Sequence, residues 1–485
     1  MKELQIIPQP RKMEQREGFF APASQTAIIT CKEFLPLADL LAQLLSRDTG
    51  FDFEVRQSAK MNRPAGSISL LIATDRSGLG DEGYTLSVKA DQIAIRAFRP
   101  AGAFYAFQTL RQLLSVTLER GGEARRTAWT VPQVEIEDSP RFPWRGFMLD
   151  SSRHFQSKEF ILRLIDTLAF YKINRLHWHP CDGIAWRMEI EKYPELTKGA
   201  ADGGKYEYYT KKDIREIIEY AKTLHIEVYP EVEMPGHSRW ALNVFKDLRC
   251  ENAKEPVNEY CLGSEKTERF FKDVLTEVMD MFPDAVIHLG GDEANVTHWQ
   301  ACPRCQSCIK ANGLGNERML QKWFMQKMTS FVQDNGRDTI AWGEHQELGW
   351  PAGQIVQGWI KGGSEYAIAH GIKTVNSEHE HVYFDYPVSL DDPLKRSWMP
   401  ELPLAKVYSF DPVPAGTTPE QAALVMGSEA CLWTEIIPEE KVYERTFPRL
   451  LAFSETVWSP KESKDWNSFE KRAAAHLVAF GLIFT

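Results

Sequence analysis

Two adjacent acidic residues, Asp292 and Glu293, follow an apolar segment and two glycines in the stretch HLGGDEANVTHW. The preceding residues 285–287, Ala-Val-Ile, are typical of a buried strand. Neighbouring carboxylates repel each other, and each is costly to bury unless a partner stabilises its charge. The pair therefore predicts either a strand that ends in water or a reactive site that uses two carboxyl groups.

Composition places the chain among ordinary globular proteins. Its 485 residues, of which 43% are hydrophobic and 26% charged, suffice for two domains or for a large and a small one. The net charge of −10 disfavours a general nucleic-acid binder, which needs a basic surface. No apolar segment approaches the roughly 20 residues that cross a bilayer.

The first residues, MKELQIIPQPRKMEQ, lack the apolar core of a signal peptide. We therefore expect a soluble chain without an export signal. Its compartment stays open, cytoplasmic as written and periplasmic or secreted if a leader has been removed.

Three of the eight cysteines, Cys302, Cys305 and Cys308, form a C-x2-C-x2-C pattern. The pattern is similar to half of a zinc site or to part of an iron–sulfur ligand set. No second cluster supplies the missing ligands at a recognisable spacing, so we interpret these residues as ordinary thiols. Whether they bind a metal stays open at this stage.

Residues 1–138 have the pattern of a small α+β domain. Apolar runs or alternation predict strands at 26–31, 67–72, 84–88 and 92–96. Apolar residues at helical spacing predict helices around 37–45 and 104–113. The sequence therefore predicts a sheet covered by two helices.

Residues 139–485 alternate short apolar strands with amphipathic helices. The eight predicted strands are 146–149, 175–178, 226–229, 285–288, 339–342, 355–359, 372–375 and 425–428. This α/β pattern predicts a (β/α)8 TIM barrel as the catalytic domain. A doubly wound open sheet is the alternative, which is disfavoured because no glycine-rich dinucleotide or phosphate loop follows the first strand.

Polar and aromatic residues collect at the ends of the predicted strands, where barrels of this kind carry out their chemistry. They include Asp150, Arg153, Asp182, Glu231, Glu233, His237, Asp292, Glu293, Trp342, Glu344, Trp359, Tyr383, Asp385, Trp433 and Glu435. Aromatic faces cover the C–H faces of a pyranose, whereas carboxylates and arginine bind its hydroxyls. The combination indicates a sugar site, and an acidic pair can cleave a glycosidic bond.

Each of these residues also has a structural interpretation. A tryptophan at a strand end is more often part of the core, Asp182 can cap a turn, and His237 can be a satisfied histidine in a Pro-Gly turn. Asp292 and Glu293 can begin a helix, where acids favour the macrodipole. Their joint placement favours function, since independent structural causes need not select the same rim.

The same residues resemble glycoside hydrolase family 20, the β-N-acetylhexosaminidases. His288-x-Gly-Gly-Asp-Glu293, with Trp299 shortly after, is similar to the signature of that family. Other matching stretches are Arg145-Gly-x-x-x-Asp150-x-Ser-Arg153-His154-Phe155, Met234-Pro-Gly-His237, Tyr383-x-Asp385 and Trp433-Thr-Glu435. Residues 102–114 resemble part of the α+β domain that precedes the barrel in this family.

One stretch departs from the family pattern. After the second strand the family usually reads His-Leu-x-Asp-Asp-Gln-x-Trp-Arg, whereas this chain reads HPCDGIAWR from His179 to Arg187. Asp182 is retained, but Gly183 and Ile184 replace the second acid and the glutamine. The change concerns the loop and the leaving-group contacts more than the catalytic core.

The resemblance implies an exo-acting, retaining enzyme that removes terminal β-linked N-acetylglucosamine or N-acetylgalactosamine by substrate-assisted catalysis. Glu293 would be the general acid/base, with a raised pKa, and Asp292 would stay ionised to accept the acetamide N–H. Tyr383 would aim the acetamide carbonyl oxygen. His237, oriented by Asp182, would tune the protonation of Glu293.

The resemblance also implies the substrate-binding residues. Arg153 would bind the 3- and 4-hydroxyls, and Asp385 and Glu435 would bind hydroxyls at the 4- and 6-positions. The aromatic walls would be Trp342, Trp359 and Trp433. The reaction requires no metal or organic cofactor, its partner is a carbohydrate, and a carboxylate at Asp385 should disfavour a 6-sulfated sugar.

Two other functions stay open. A catalytically inactive hexosamine-binding protein is disfavoured because Glu293 is present, and a lacto-N-biosidase-type enzyme that releases a disaccharide would differ only in its loops. A chitinase-like endo-enzyme is disfavoured because its Asp-x-x-Asp-x-Asp-x-Glu run is absent. Neither the preferred hexosamine, nor the natural glycan, nor the oligomeric state follows from the sequence.

Overall fold

The computed structural model describes residues 3–58, 64–73, 78–115, 129–198, 207–251, 253–283, 285–344 and 349–483. Contacts separate two compact units. The first comprises Met1–Pro143, Ala169–Lys172 and Leu450–Thr485, and the second comprises Trp144–Leu168 and Ile173–Arg449. The boundary that the sequence places between residues 138 and 139 stays a prediction.

The first unit contains a seven-stranded mixed sheet with the spatial order β1-β7-β5-β6-β4-β2-β3. Its strands are β1 (Lys12–Phe20), β2 (Ile28–Thr30), β3 (Val55–Gln57), β4 (Ser67–Ile72), β5 (Tyr84–Val88), β6 (Gln92–Ala97) and β7 (Val131–Asp138). Helices α1 (Leu35–Thr49) and α2 (Pro100–Ser115) pack on this sheet through buried residues such as Leu41 and Phe107. The predicted α+β arrangement is confirmed.

The second unit is a closed barrel of eight parallel strands, in which the last strand pairs with the first. The chain forms β8 (Trp144–Asp150), β9 (Arg175–His179), a small hairpin of β10 (Cys181–Asp182) and β11 (Ala185–Trp186), β12 (Glu227–Met234), β13 (Ile287–Gly290), β14 (Thr339–Trp342), β15 (Ile355–Gly358), β16 (Thr374–Asn376) and β17 (Val425–Leu432). Except for the hairpin, these strands make up the barrel. The predicted TIM barrel is confirmed, and the open-sheet alternative is wrong.

Helices connect the barrel strands. They are α3 (Lys158–Phe170), α4 (Lys211–Thr223), α5 (Arg239–Val244), α6 (Glu265–Met281), α7 (Thr297–Ala301), α8 (Pro303–Asn312), α9 (Glu317–Asp334), α10 (Gly363–Ala369), α11 (His379–Val382), α12 (Leu404–Ser409), α13 (Pro419–Ala422) and α14 (Val442–Thr446), followed by α15 (Arg449–Trp458) and α16 (Trp466–Ile483). No helix in the described ranges is both long and apolar enough to span a membrane.

Helix α4 shows how local sequence determines such an element. Thr210 and Asp213 form a capping box, in which each side chain accepts a hydrogen bond from the main-chain N–H of the other. Ile214, Ile217 and Ala221 then lie on one buried face. The cap and the apolar stripe together fix where the helix begins and which side faces the barrel.

Candidate active site

The end of β13 explains why two glycines precede the two acids. Gly290 and Gly291 have φ angles of 63° and 110°, which residues with a Cβ atom disfavour. A Cβ atom on Gly290 would lie 2.1 Å from Oε2 of Glu233, so the glycine also makes room for that carboxyl group. Glu293 itself has a left-handed φ of 48°, which costs about 1–3 kcal/mol. The backbone therefore turns sharply at the acids instead of continuing as a strand.

His237, in the turn after β12, contacts both acids. Its Nε2 atom lies 3.4 Å from Oε2 of Glu293 and 3.7 Å from Oδ2 of Asp292, and its Nδ1 atom lies 3.2 Å from Oδ2 of Asp182. Burial alone would lower the pKa of His237, but Asp182 and Glu293 raise it above its ordinary value. The imidazole is therefore positively charged at neutral pH. The structure brings together the acids and the histidine that the sequence grouped.

Asp182 lies in the hairpin of β10 and β11, where Gly183 and Ile184 form a two-residue turn. The departure from the family pattern thus corresponds to a tight turn that still presents Asp182. Its Oδ2 atom lies 2.8 Å from Nη2 of Arg153 and 3.2 Å from Nε2 of His179. Burial would raise the pKa of Asp182, but its cationic neighbours hold that pKa well below the usual range. Asp182 is therefore ionised and holds Arg153 and His237 in position.

The pKa values of the two adjacent acids shift in directions opposite to those predicted. Contact with His237 lowers the pKa of Glu293, whose side chain is 60% exposed. Burial, opposed by His237, raises the pKa of Asp292 to about 7. The expectation of a raised pKa at Glu293 and a readily ionised Asp292 is therefore wrong in this structure. The reason is the turn after β13, which leaves Glu293 in water and buries Asp292.

Aromatic side chains from the ends of four strands form one wall. The ring centroids of Trp342 and Trp433 lie 5.8 Å apart, and Tyr383 lies 6.2 Å from Trp433. Tyr383 also stacks on Trp359 at 6.5 Å, with the planes 13° apart. The guanidinium of Arg153 lies 5.1 Å from the Trp433 centroid. The structure thus brings together the residues for which the sequence predicted contacts with a sugar ring.

Asp385 and Glu435 differ in exposure. Asp385 is 1% exposed, and neither of its carboxyl oxygens has a hydrogen-bond partner among the described residues. Burial, reinforced by Glu435, raises the pKa of Asp385 well above its usual value, whereas Glu435 is exposed. A raised pKa makes Asp385 harder to ionise than an exposed carboxyl group, and the predicted repulsion of a 6-sulfate by this residue stays a prediction.

A buried network of carboxylates and imidazoles supports the rim, and no pattern in the sequence predicted a role for it. Glu231 accepts a hydrogen bond from Nε1 of Trp342 at 2.7 Å and contacts Nδ1 of His179 at 2.5 Å. His177 bridges Glu231 and Glu429 at 3.1 and 2.8 Å. Glu231 therefore fixes the positions of Trp342 in the aromatic wall and of His179, which contacts Asp182. Acids at alternate positions, Glu231 and Glu233, were the available signal, because such residues face the same side of a strand.

Two further acids adjoin Asp292 and Glu293. Glu344, after β14, accepts a hydrogen bond from the main-chain N–H of Glu293 at 2.8 Å and so holds the left-handed turn. Burial, with Asp292 nearby, raises the pKa of Glu233 well above its usual value. Only its position at a strand end marked Glu344 in the sequence. A long-range main-chain bond such as that of Glu344 leaves no local pattern.

A parallel barrel whose rim combines an acidic pair, a charged histidine and an aromatic wall is typical of a glycoside hydrolase. Comparison with protein families gives the particular group. The model described as "Glycosyl hydrolase family 20, catalytic domain" matches residues 142–461, and the model for "domain 2" of the same family matches residues 3–139. The chain therefore belongs to glycoside hydrolase family 20, and the resemblance seen in the sequence is confirmed.

Individual relatives agree with this assignment. The chain is 34% identical to a β-hexosaminidase of Porphyromonas gingivalis over 97% of its own length, and it spans 62% of that relative. A family 20 exo-β-N-acetylglucosaminidase of Vibrio harveyi, solved in complex with N-acetylglucosamine, has a TM-score of 0.87 at 27% identity, with 99% and 77% of the two chains covered. The β-N-acetylhexosaminidase of Bacteroides fragilis has a TM-score of 0.85 at 30% identity, with 98% and 95% covered.

Proposed function

We propose that the protein is an exo-acting, retaining β-N-acetylhexosaminidase that removes terminal β-linked N-acetylglucosamine or N-acetylgalactosamine from glycans. The observation that carries the proposal is the convergence of Asp292 and Glu293 on one imidazole, that of His237, at 3.7 and 3.4 Å. The names of the relatives support the substrate class, and the Vibrio harveyi enzyme is described in complex with N-acetylglucosamine.

The proposed reaction uses the acetamido group of the substrate as the nucleophile. Its carbonyl oxygen forms a bond to C1 while the bond from C1 to the leaving oxygen breaks, and Glu293 gives its proton to that oxygen. Water then adds to C1, the bond to the carbonyl oxygen breaks, and Glu293 takes a proton from the water. Two displacements at C1 result in net retention.

Asp292 stabilises the positive charge of the oxazolinium intermediate. Its ionised carboxylate would accept the acetamide N–H, and that bond strengthens as charge develops on the acetamide. The pKa of Asp292, about 7, lies at the centre of the neutral range. A hydrogen bond from the substrate favours the charged form, so binding would lower this pKa and leave Asp292 ionised in the complex.

Glu293 has to carry a proton in the complex, although contact with His237 lowers its pKa in this structure. A bound sugar and its leaving group would replace water around the exposed side chain, and desolvation raises the pKa of a carboxyl group. We infer that substrate binding itself turns Glu293 into an acid. His237, held by Asp182, would keep the carboxyl group in position while its protonation state changes.

The other side chains orient the sugar. Tyr383 would donate a hydrogen bond to the acetamide carbonyl oxygen and aim it at C1. Arg153, Asp385 and Glu435 would bind the ring hydroxyls of a terminal residue, which accounts for exo action. The aromatic wall would cover the ring and the acetamide methyl group: Trp342, Trp359 and Trp433.

The first test compares release of nitrophenol from the β-N-acetylglucosaminide and from the β-glucoside. We expect the wild type to hydrolyse only the acetamido sugar. Glu293→Gln should reduce the rate by roughly 10²–10⁴-fold for a poor leaving group, and by less for nitrophenol. Glu440→Gln, which changes an exposed glutamate in the turn before α14, is the matched control and should keep full activity.

A second test identifies the nucleophile. Successive fluorination of the N-acetyl group weakens its carbonyl oxygen, so the rate should fall steeply from acetyl to trifluoroacetyl. An unchanged rate across this series, or equal cleavage of the β-glucoside, would indicate a protein nucleophile and contradict the mechanism. Binding of N-acetylglucosamine without cleavage of any β-N-acetylhexosaminide would point instead to an inactive hexosamine-binding protein.

A further inference from the structure

Four buried cysteines of the second unit gather their sulfur atoms at one point: Cys250, Cys261, Cys302 and Cys305. Their Sγ atoms all lie within 4.8 Å of one another. The Sγ–Sγ distance is 3.7 Å for Cys250 and Cys305, for Cys261 and Cys302, and for Cys261 and Cys305. The two thiols that the C-x2-C pattern lacked thus come from 41 to 55 residues earlier in the chain.

These separations fit a tetrahedral metal site and not a pair of disulfides. A disulfide bond joins two sulfur atoms at about 2.05 Å, far less than the observed 3.7 Å. Four thiolates at about 2.3 Å from a zinc ion stand at the corners of a tetrahedron whose edges are about 3.8 Å. The thiols therefore have the spacing of a four-cysteine metal site.

The local fold explains how distant cysteines reach this spacing. Cys302 is the N-cap of α8, and Cys305 lies in the first turn of that helix, where the helix dipole favours thiolates. Gly263 lies against the backbone of the same turn, and a Cβ atom there would be 2.4 Å from the carbonyl carbon of Arg304. Only a glycine allows the close approach that brings Cys261 to Cys305.

A cationic side chain offsets the charge of the cluster. Four thiolates around a divalent ion leave two excess negative charges, and Arg304 interacts electrostatically with Cys261 and Cys302. The guanidinium donates to the carbonyl oxygen of Arg249 at 2.7 Å, which fixes its position. Groups of this kind around the ligands are typical of structural metal sites.

We propose that Cys250, Cys261, Cys302 and Cys305 bind one zinc ion as a closed tetrathiolate site. Zinc is the metal of choice because a tetrahedral set of four cysteines leaves no open position for chemistry, as in structural zinc sites. Cys308 lies outside the cluster and is partly exposed. The C-x2-C-x2-C pattern therefore supplies two ligands, Cys302 and Cys305, whereas its third cysteine does not bind the metal.

The site fastens the two segments that carry the reacting groups. Residues 235–262 follow β12 and include His237, and residues 291–305 follow β13 and include the acidic pair. Nε1 of Trp299 in the second segment donates to the carbonyl oxygen of Tyr260 in the first at 2.8 Å. The metal adds two pairs of strong bonds beside this hydrogen bond and so keeps the histidine and the acids at a constant separation.

The first experiment measures the metal content of the full-length chain, purified without a metal-affinity step and dialysed against a weak chelator. Wild type and Cys308→Ser are expected to retain about one zinc per chain. Cys305→Ser should retain less than about a tenth of that amount. Full zinc content in Cys305→Ser, or a wild type that holds no metal, would overturn the proposal, whatever the hydrolase activity of the preparation.

A measurement on the wild type alone keeps the proposal testable where Cys305→Ser does not fold. X-ray absorption at the zinc edge should show four sulfur neighbours at about 2.3 Å. A shell containing nitrogen or oxygen, iron in place of zinc, or a disulfide between any two of the four cysteines in a non-reducing peptide map would each overturn it.

Discussion

Buried carboxylates occur in both units, and they differ in how completely their oxygen atoms are hydrogen-bonded. In the first unit, Oδ2 of Asp138 accepts hydrogen bonds from the hydroxyl of Tyr84 at 2.7 Å and from Nζ of Lys172 at 3.0 Å. Nε1 of Trp458 lies 3.0 Å from both oxygens. Asp138 and Lys172 are each fully buried, so this is a closed, paired charge cluster.

In the second unit, the buried acids at the barrel rim keep unpaired oxygens. Among the described residues, Oδ1 of Asp292, Oε2 of Glu233 and both oxygens of Asp385 have no hydrogen-bond partner. Burial raises the pKa of all three. An unpaired buried acceptor costs free energy that a ligand hydroxyl or N–H recovers. The first unit thus holds a buried carboxylate with paired oxygens, whereas the rim of the second unit holds buried carboxyl groups with unpaired oxygens, which we predict bind substrate.

The largest loss of stability is expected when the charge pair between Asp138 and Lys172 is broken. Lys172→Met removes the cation but keeps the length of the side chain, which leaves the Asp138 carboxylate buried without its charge partner. Such a loss should cost about 3–5 kcal/mol in the free energy of unfolding, measured by urea denaturation. Lys212→Met, which removes an exposed partner of Glu216, is the control and should cost less than about 0.5 kcal/mol. Equal stability of the two variants would show that the buried charge pair of Asp138 and Lys172 does not stabilise the fold.

At the barrel rim, by contrast, removal of a buried carboxylate should not destabilise the fold. Asp292→Asn removes a buried carboxylate that has an unpaired oxygen, so the variant should be at least as stable as the wild type. Activity on the β-N-acetylglucosaminide should nevertheless fall by about 10²–10³-fold, because the developing positive charge loses its partner. Asp391→Asn, at an exposed position, is the matched control. A strong loss of stability in Asp292→Asn would show that Asp292 has a structural role like that of Asp138.

The sequence predicted this fold where each element carried its own pattern. The barrel strands are apolar and end in polar residues, so their order and the rim followed directly, whereas β1 is largely exposed and has no apolar alternation. The protonation states did not follow, because they depend on which carboxyl group the backbone turn at Glu293 leaves in water. Cys250 and Cys261 were also missed, since their proximity to Cys305 is created only by the fold.

The contribution of Asp292 to the free energy of unfolding should also depend on pH. Burial raises the pKa of Asp292 to about 7, above the value of about 3.9 in an unfolded chain. Between these values the folded protein binds the extra proton, so the contribution of Asp292 to stability is fully present below about pH 4 and is lost as the pH rises to about 7. Asp292→Asn lacks this loss.

The advantage of Asp292→Asn over the wild type should therefore grow from about pH 4 to about pH 7, by at most about 1.4 kcal/mol per pH unit, and stay constant above that range. Denaturation of both proteins at several pH values measures the difference, in which the titrating groups that do not interact with Asp292 cancel, whereas His237 and Glu233 shift with it. A constant difference across this range would mean that Asp292 titrates in the folded protein as it does in an unfolded chain.

The smallest effect on activity is expected at Asp385, which like Asp292 has a carboxyl oxygen without a hydrogen-bond partner among the described residues. Burial raises the pKa of Asp385 well above its usual value, so we expect its bonds to sugar hydroxyls to be those of a neutral carboxyl group, each with a net value of about 0.5–1.5 kcal/mol. Asp385→Asn preserves the shape and one donor, and kcat/KM should fall by only about 2- to 10-fold, far less than in Asp292→Asn. Both variants are assayed with the same β-N-acetylglucosaminide. A loss of 10²-fold or more at Asp385 would mean that substrate binding ionises this carboxyl group, because only a charged acceptor contributes that much.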